Sequence, residues 1–181
     1  VFGGNLSFLS KALLLQIQQV YPLIIQAGEI AKLGLIQMES DSDFVKYKGD
    51  IDLVTRVDME IESYLTEELT KRFPGFGILG EEKSSIEGNY GRFFIDPLDG
   101  TTNYVHKIPH FAVSVALEVD NELVSGWVYN PITEEFYTSI KQSGAFLNQK
   151  PIRVSKVDSL KKSVLATGFP YHRAQIPDNN H

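Results

Sequence analysis

Two segments near the start of the chain carry apolar residues at the three- and four-residue spacing of a helix. The first lies within residues 12–38, where the spacing predicts a helix that Pro22 either kinks or divides into two. Its apolar positions are Leu13, Ile17, Val20, Ile24, Ala27, Ala31 and Leu35. The second segment begins at Thr55–Asp58, which fits a helix capping box with Asp in place of the usual Glu or Gln. Its apolar positions are Val57, Ile61, Tyr64, Leu65 and Leu69, and Phe73-Pro74-Gly75 ends it.

After residue 91 the pattern changes to the period of two that is typical of strands. It is clearest over residues 111–119, where large apolar residues alternate with small or polar ones. Further strands are predicted over 44–48, 93–95, 123–129, 136–139 and 164–167. Helices followed by a meander of strands predict the α+β class, with two N-terminal helices packed on an antiparallel β-sheet. The length of 181 residues suits one domain over residues 1–181.

Composition narrows the function classes. Apolar residues make up 43% of the chain and the net charge is −6, so the chain is globular rather than disordered. The sequence has no basic tract of five or more residues, which argues against nucleic-acid binding by charge. The absence of cysteine excludes a disulfide scaffold, a thiol nucleophile and a cysteine-ligated metal. No apolar run reaches the ~20 residues that span a bilayer, so we expect a cytoplasmic protein without a membrane partner.

The most informative segment is Asp-Pro-Leu-Asp-Gly-Thr-Thr-Asn, over residues 96–103. It places Asp96 and Asp99 directly after the apolar run Phe93-Phe94-Ile95. Carboxylates at the exit of a buried strand are unfavourable unless something compensates their charge, and a hard cation is a common compensation. The segment therefore indicates a cation beside a buried strand.

Three acidic pairs lie at predicted turns or strand ends, namely Asp50/Asp52, Glu81/Glu82 and Asp96/Asp99. Taken singly, each pair is more typical of a turn, a helix cap or a solvated face than of a site. Together they could supply the all-oxygen coordination that Mg²⁺ or Ca²⁺ prefers. Their order along the chain, with Thr101 and Thr102 following the last pair, favours a metal site over the structural interpretation.

These motifs resemble those of the inositol monophosphatase family, within the Mg²⁺-dependent, lithium-sensitive phosphatase superfamily that includes fructose 1,6-bisphosphatase. The resemblance rests on residues 95–106, on Asp52-Leu-Val-Thr55 followed by Asp58, and on Gly80-Glu81-Glu82. Residues 164–171 also resemble the bacterial branch of the family. Three motifs in the right order form a specific signal that runs from about residue 21 to about residue 171.

The resemblance implies a role for each motif residue. Glu81, Asp96 and the carbonyl of Leu98 would hold one Mg²⁺, and Asp96 would bridge to a second that Asp99 also binds. Asp52 and the Thr101 hydroxyl would orient and deprotonate the attacking water. The backbone amides of Gly100 and Thr101 would bind a phosphate oxygen. The implied contacts of the substrate are therefore Glu81, Leu98, Asp99, Gly100 and Thr101.

The family resemblance also implies cofactors and partners. Two or three Mg²⁺ ions are expected, with Ca²⁺ or Mn²⁺ as substitutes, and the substrate is a small phosphorylated polyol or sugar. A homodimer is expected too. Glu82 would assist from outside the metal shell, and Asp58 is interpreted as a helix-start residue. His106 and His110 are expected at the rim of the site or in a structural role, Trp127 is expected in the core, and His172 and His181 show no metal spacing.

The chain departs from the family in one respect. Members of the family carry a second α/β half with a Trp-Asp-x-Ala-type motif, and the only tryptophan here is Trp127, followed by Val-Tyr-Asn. We therefore expect an N-terminal half whose second metal site lacks a carboxylate, and whose activity alone is weak or absent.

Two alternatives remain open. The parent enzyme could be a sister phosphatase that acts on histidinol phosphate, fructose 1,6-bisphosphate, NADP or an adenosine bisphosphate. The chain could also be a non-catalytic regulatory or protein-binding module. A calcium module of the EF-hand type is disfavoured, because residues 96–100 lack its one-three-five oxygen spacing.

Overall fold

The computed structural model describes residues 11–38, 45–47 and 53–166. The helices are α1 (Lys11–Gln37), α2 (Arg56–Arg72) and α3 (Thr101–Val105), with a 3₁₀ turn at Leu160–Lys162. The strands are β1 (Val45–Tyr47), β2 (Leu53–Thr55), β3 (Gly77–Gly80), β4 (Ser85–Ile86), β5 (Arg92–Asp99), β6 (Ala112–Val119), β7 (Glu122–Asn130), β8 (Glu135–Ile140), β9 (Gly144–Leu147) and β10 (Lys150–Ile152). The α+β class predicted from the sequence is confirmed.

An eight-stranded sheet forms the body of the molecule, in the order β10-β9-β8-β7-β6-β5-β3-β4. Neighbouring strands are antiparallel except for β3 and β5, which are parallel, so the sheet is mixed. The parallel pair arises because β4 returns along one edge of β3, after which β5 enters on its other side. This arrangement brings the ends of β3 and β5 together, so that Glu81, which directly follows β3, lies beside the end of β5 that contains Asp96 and Asp99.

The hydrophobic core lies between the sheet and the two long helices. Helices α1 and α2 pack against each other, α1 also packs on β6 and β7, and α2 packs on β3 and β5. On β6, Val113, Val115 and Leu117 are buried in this core, while the alternating residues Ala112 and Ser114 lie on the opposite face. Burial of this kind is what the period of two predicted for residues 111–119. Trp127 is a core residue, as predicted.

Several local predictions differ from the structure. Helix α1 continues through Pro22 as one element, so its predicted division into two helices is wrong, whereas the alternative, a kink at Pro22, stays a prediction. Pro22 lies on the exposed side of α1, where a missing backbone hydrogen bond can be replaced by water. Strand β4 lies in a polar segment where no strand was predicted. The strand predicted over 164–167 is wrong for Val164 and Leu165, which are exposed and form no strand. Within the described residues, no helix is long and apolar enough to span a bilayer.

Candidate metal and phosphate site

The segment 96–99 is a bulged end of β5 rather than a turn. Asp96 pairs with Ser114 of β6 and Asp99 with Ala112, so three steps along β5 match two along β6. One extra residue in one strand is the definition of a β-bulge, and Pro97 is tolerated there because the ladder is already interrupted. Since Ala112 and Ser114 share a face of the sheet, the bulge brings Asp96 and Asp99 onto that same face. Without it, residues three apart would point to opposite faces.

Glu81 enters the site from the neighbouring parallel strand. Its backbone N–H donates to the carbonyl of Ile95 at 3.0 Å, which continues the pairing of β3 with β5 by one residue. Its side chain lies close enough to Asp96 to raise the pKa of that carboxyl group. The structure thus brings the predicted residue Glu81 close to Asp96, 15 positions later in the sequence, and places Asp99 near enough for its charge to act on Asp96.

The electrostatics of Asp96 reflect this crowding. Burial, the charge and hydrogen bond of Glu81 and the charge of Asp99 raise the pKa of Asp96 to about 8. The Leu98 N–H opposes this shift, because it donates to Asp96 Oδ1 at 3.2 Å. At neutral pH the raised pKa of Asp96 therefore favours its protonated, neutral form. A divalent cation would replace that proton and relieve the repulsion.

Gly100 turns the chain from β5 into α3. Its φ of 92° and ψ of 37° lie in the left-handed region that glycine adopts at little cost. A Cβ atom at this position would also come within 3.0 Å of the His110 carbonyl oxygen. A helical turn does begin at Thr101, as the predicted phosphate contact of the Gly100 and Thr101 amides requires. That contact itself stays a prediction.

The Thr101 hydroxyl lies between two acceptors. Thr101 Oγ1 is 3.2 Å from Asp58 Oδ1 and 3.1 Å from the Leu98 carbonyl oxygen, and its one proton serves these two oxygens. Asp58 stands in the first turn of α2, as predicted for a helix-start residue, and its side chain is only 2% exposed. Asp52, the predicted partner of Thr101, lies outside the described residues together with Asp50. Its role stays a prediction, and the described partner of Thr101 is Asp58.

Other predicted residues have backbone or peripheral roles. The carbonyl of His110 accepts a hydrogen bond from Asn103 Nδ2 at 2.7 Å, and His106 ends α3. His110 also lines a cavity of about 310 Å³ with Asp99 and Tyr137. Glu82 contributes its backbone N–H to the carboxylate of Glu62. His172 and His181 lie outside the described residues.

Sequence reasoning did not single out Glu62, and it interpreted Asp58 only as a helix-start residue. Glu62 lies on the buried face of α2 with Ile61 and Leu65, and its side chain is 2% exposed. A charged residue inside an apolar helical stripe is a detectable signal, because an uncompensated buried charge is strongly unfavourable. Asp58 was harder to detect, since an acidic residue in the first helical turn is common for other reasons.

The chemistry of the donor set fits a hard divalent cation. Glu81, Asp96, Asp99 and the Leu98 carbonyl offer oxygen atoms alone, as Mg²⁺ and Ca²⁺ prefer. Over residues 11–38, 45–47 and 53–166, no three acidic or histidine side chains are gathered closely enough to enclose an ion. The described residues thus supply a contacting pair, Glu81 and Asp96, with Asp99 close enough to act on their charge.

Comparison with known proteins identifies the family of this chain. The sequence model of the inositol monophosphatase family matches residues 15–181. The inositol-1-monophosphatase of Rhizobium meliloti (strain 1021) is 47% identical over 129 residues, which cover 70% of this chain and 48% of that protein. A protein of Haemophilus influenzae named Nus factor SuhB is 40% identical over 131 residues, covering 71% of this chain and 49% of that protein.

Solved structures agree with the sequence comparison. The inositol monophosphatase structure from Anabaena (Nostoc) sp. PCC 7120 superposes with a TM-score of 0.75 and 33% identity, covering 91% of this chain and 61% of that one. The chain spans about half the length of the curated relatives it matches. The resemblance carried by residues 95–106 is confirmed, and the chain belongs to the inositol monophosphatase family.

Proposed function

We propose that the protein is a metal-dependent phosphatase that hydrolyses inositol monophosphate or a related sugar phosphate. The observation that carries the proposal is the convergence of Glu81 and Asp96 at the ends of two parallel strands, with the Asp58–Thr101 pair beside them. Family membership supports the same reaction class.

Glu81, Asp96, Asp99 and the Leu98 carbonyl would hold Mg²⁺. When bound, Mg²⁺ supplies the Lewis acidity that activates water and stabilises the leaving alkoxide. Asp96 would be the central member of this set, because the charges of both Glu81 and Asp99 act on it. The bulge places Asp96 and Asp99 on the same face of the sheet, where both could serve as ligands.

Thr101 and Asp58 would move the proton of the attacking water. A hydroxyl has one proton and two lone pairs, and the Thr101 proton is already directed at Asp58 and the Leu98 carbonyl. The lone pairs of Thr101 Oγ1 are therefore available to accept a hydrogen bond from water. The buried Asp58 carboxylate would favour proton movement toward it. In this proposal Asp58 takes the role that the sequence reasoning assigned to Asp52, whose own contribution stays a prediction.

The substrate phosphate would lie over the start of α3. The backbone amides at the start of a helix lack acceptors within the helix, and Gly100 has no side chain to keep an anion away. The polyol or sugar would then extend away from β5.

The relatives suggest that the described residues supply only part of the active site. Because the curated relatives are about twice as long as the region they share with this chain, we propose that their second half provides further metal and substrate contacts. The 181-residue chain alone would then be a weak enzyme.

The test is hydrolysis with Mg²⁺ by the chain and by a fusion that adds the second half of the Rhizobium relative. Inositol 1-phosphate is compared with histidinol phosphate, fructose 1,6-bisphosphate, NADP and an adenosine bisphosphate. We expect the fusion to prefer inositol 1-phosphate and the chain alone to be at least about 100-fold slower. A fusion that folds and binds Mg²⁺ but hydrolyses none of these esters would refute the proposal.

A second candidate is a protein-binding role in transcription. It is favoured by the name of the Haemophilus relative, Nus factor SuhB, which is 40% identical to this chain. Thermal stability measured with increasing Mg²⁺ separates the two candidates, because a ligand that binds only the folded state raises the midpoint. A purely scaffolding chain would show no response.

A further inference from the structure

Glu62 places a carboxylate inside the apolar face of α2. The neighbours on that face, Ile61 and Leu65, are fully buried, and Glu62 itself is 2% exposed. A buried carboxylate is tolerated only where hydrogen bonds replace its water. The replacement here comes from backbone N–H groups outside the helix.

Three successive residues donate to this one carboxylate. The Glu82 N–H donates to Glu62 Oε2 at 2.7 Å, and the N–H groups of Lys83 and Ser84 both donate to Oε1 at 2.8 Å. Consecutive N–H groups that converge on one anion form a strong, directional arrangement. The segment 82–84 is thereby wrapped around the end of the Glu62 side chain.

The contacts around the turn leave it little freedom. The Gly80 N–H donates to the Ser84 carbonyl at 2.7 Å, and Thr66 Oγ1 donates to Ser84 Oγ at 2.9 Å. A Cβ atom on Gly80 would lie 2.4 Å from the Glu62 carboxylate, so the carboxylate fills the space beneath the turn. Glu81 therefore stands between two fixed points, β3 on one side and the 82–84 segment on the other.

We propose that Glu62 is a positioning residue for the metal site, holding the 82–84 turn so that Glu81 faces Asp96. Glu62 does not touch the ion. It sets the direction of Glu81 through the backbone, and its removal lets Glu81 turn away from Asp96. The inference rests on the proposed function, because it assigns the Glu81 carboxylate to a Mg²⁺ ion.

The experiment compares the 181-residue wild-type chain with its Glu62→Gln variant, because a Gln side chain has nearly the same shape as a Glu side chain. Gln keeps one oxygen acceptor but presents an NH₂ group where a carboxylate oxygen now accepts a backbone N–H. Mg²⁺ affinity is measured by calorimetry at a temperature where circular dichroism shows both proteins folded. Hydrogen exchange of the Glu82, Lys83 and Ser84 amides is measured without metal. We expect Mg²⁺ binding about 10- to 100-fold weaker, as for other residues that orient metal ligands, and faster exchange at these amides.

Two further variants make the comparison specific. Glu67→Gln removes the same charge from the same helix at an exposed residue paired with Lys71, and it should match the wild type in both measurements. Glu62→Asp keeps the charge but is one methylene shorter, so it should give intermediate values. It replaces Glu62→Gln if that variant does not fold.

The outcomes separate this inference from the proposed function. Amide exchange that is unchanged in the Glu62 variant, or Mg²⁺ affinity within twofold of the wild type, would overturn the positioning role. Equal Mg²⁺ affinity in the wild type and in Glu81→Gln would instead overturn the proposed metal site. Glu62 could then not be a residue that positions a metal ligand, even if its replacement loosens the 82–84 turn. Weaker binding in Glu62→Gln and Glu81→Gln but not in Glu67→Gln supports both.

Discussion

The carboxylates of Glu62 and Asp96 interact with neighbouring residues of the chain, Glu62 with the 82–84 segment and Asp96 with Glu81. Their pKa values nevertheless shift in opposite directions. Burial disfavours the charge of Glu62, but the N–H groups of Glu82, Lys83 and Ser84 outweigh it and lower its pKa below the ordinary value. Asp96 is also partly buried and lies near the charges of Glu81 and Asp99, which outweigh the hydrogen bond from the Leu98 N–H, so its pKa rises to about 8. Backbone donors therefore decide the direction of the pKa shift at Glu62, whereas burial and neighbouring carboxylates decide it at Asp96.

This difference separates a structural carboxylate from one suited to bind a cation. Glu62 has all the compensation it needs from the protein, so a cation would gain little there. Asp96 lies among like charges that the fold forces together, and a bound divalent ion would remove the repulsion. We therefore expect opposite responses of the two residues to pH, to metal and to neutral replacement.

The largest expected effect is that of Asp96→Asn. Losing this proposed Mg²⁺ ligand should lower phosphatase activity of the fusion enzyme by about 1,000-fold, because the ion would supply the Lewis acidity that the reaction needs. Steady-state kinetics with inositol 1-phosphate and calorimetry with Mg²⁺ test this. Activity within tenfold of the wild type would contradict the assignment of Asp96.

The same variant should stabilise the metal-free chain at high pH. A pKa raised from 3.8 to about 8 means that the folded state binds the proton more tightly than the unfolded state. The stability this contributes is complete below pH 3.8 and is lost as the pH rises through about 8. Because Asn removes the repulsion, the free energy of unfolding at pH 9 without metal, measured by thermal unfolding, should be higher for the variant by on the order of 2 kcal/mol. With Mg²⁺ added, the wild type should regain the advantage.

The metal site around Asp96 could be predicted only in part from the sequence. The motif Asp-Pro-Leu-Asp-Gly-Thr-Thr indicated a cation site, and the structure does bring Glu81 to Asp96. The bulge was not predicted, because Pro97 and Gly100 are equally typical of a turn. Whether the chain turns or stays paired depends on β6, which lies more than ten residues later and contributes no local signal.

The fold could be predicted more fully than the site, because the spacing of apolar residues along the chain directly reflects which positions are buried. Helix α2 and strand β6 follow their apolar patterns because each buries one face against the same core. Strands β9 and β10 were missed, as their half-buried and exposed residues carry no alternation. The parallel pairing of β3 with β5 was missed too, because pairing direction depends on topology rather than on the residues of either strand.

Thr101 offers the next largest effect. Thr101→Val keeps the shape and removes the hydroxyl that lies 3.2 Å from Asp58, so kcat of the fusion enzyme should fall about 100-fold. Thr101→Ser restores the hydroxyl and should recover most of the rate. Mg²⁺ affinity should stay within twofold in both, since neither change removes a metal ligand. A Val variant as active as the Ser variant would show that the hydroxyl does not handle the proton.

The stability of Glu62→Gln relative to the wild type should depend on pH in the direction opposite to that expected for Asp96→Asn. A lowered pKa means that the carboxylate contributes stability above pH 4.5, its unfolded value, and loses it as the pH falls through the folded value. At pH 7 the variant should be less stable by about 2 kcal/mol, the range for hydrogen bonds to a charged group. The difference should shrink below pH 4.5. Denaturant unfolding at several pH values tests this, and a gap that widens in acid would contradict the sign.

The smallest expected effect comes from Gly80→Ala, which displaces the Glu62 carboxylate without removing its charge. The new Cβ would lie 2.4 Å from carboxylate atoms that three N–H groups hold in place, so the carboxylate must shift and weaken those bonds. We expect a loss of about 1 kcal/mol, typical of modest overpacking. Gly126→Ala is the matched control, because its Cβ would meet only Ser139 Oγ at 3.3 Å.

If Gly80→Ala acts through Glu62, the two changes cannot be additive. Chemical denaturation of Glu62→Gln, Gly80→Ala and the double variant should give a combined loss smaller than the sum, since residues in contact share one interaction. Full additivity would mean that Gly80 is required by the turn itself and not by the carboxylate beneath it. Mg²⁺ affinity should follow the same order, because each variant loosens the segment that directs Glu81 toward Asp96.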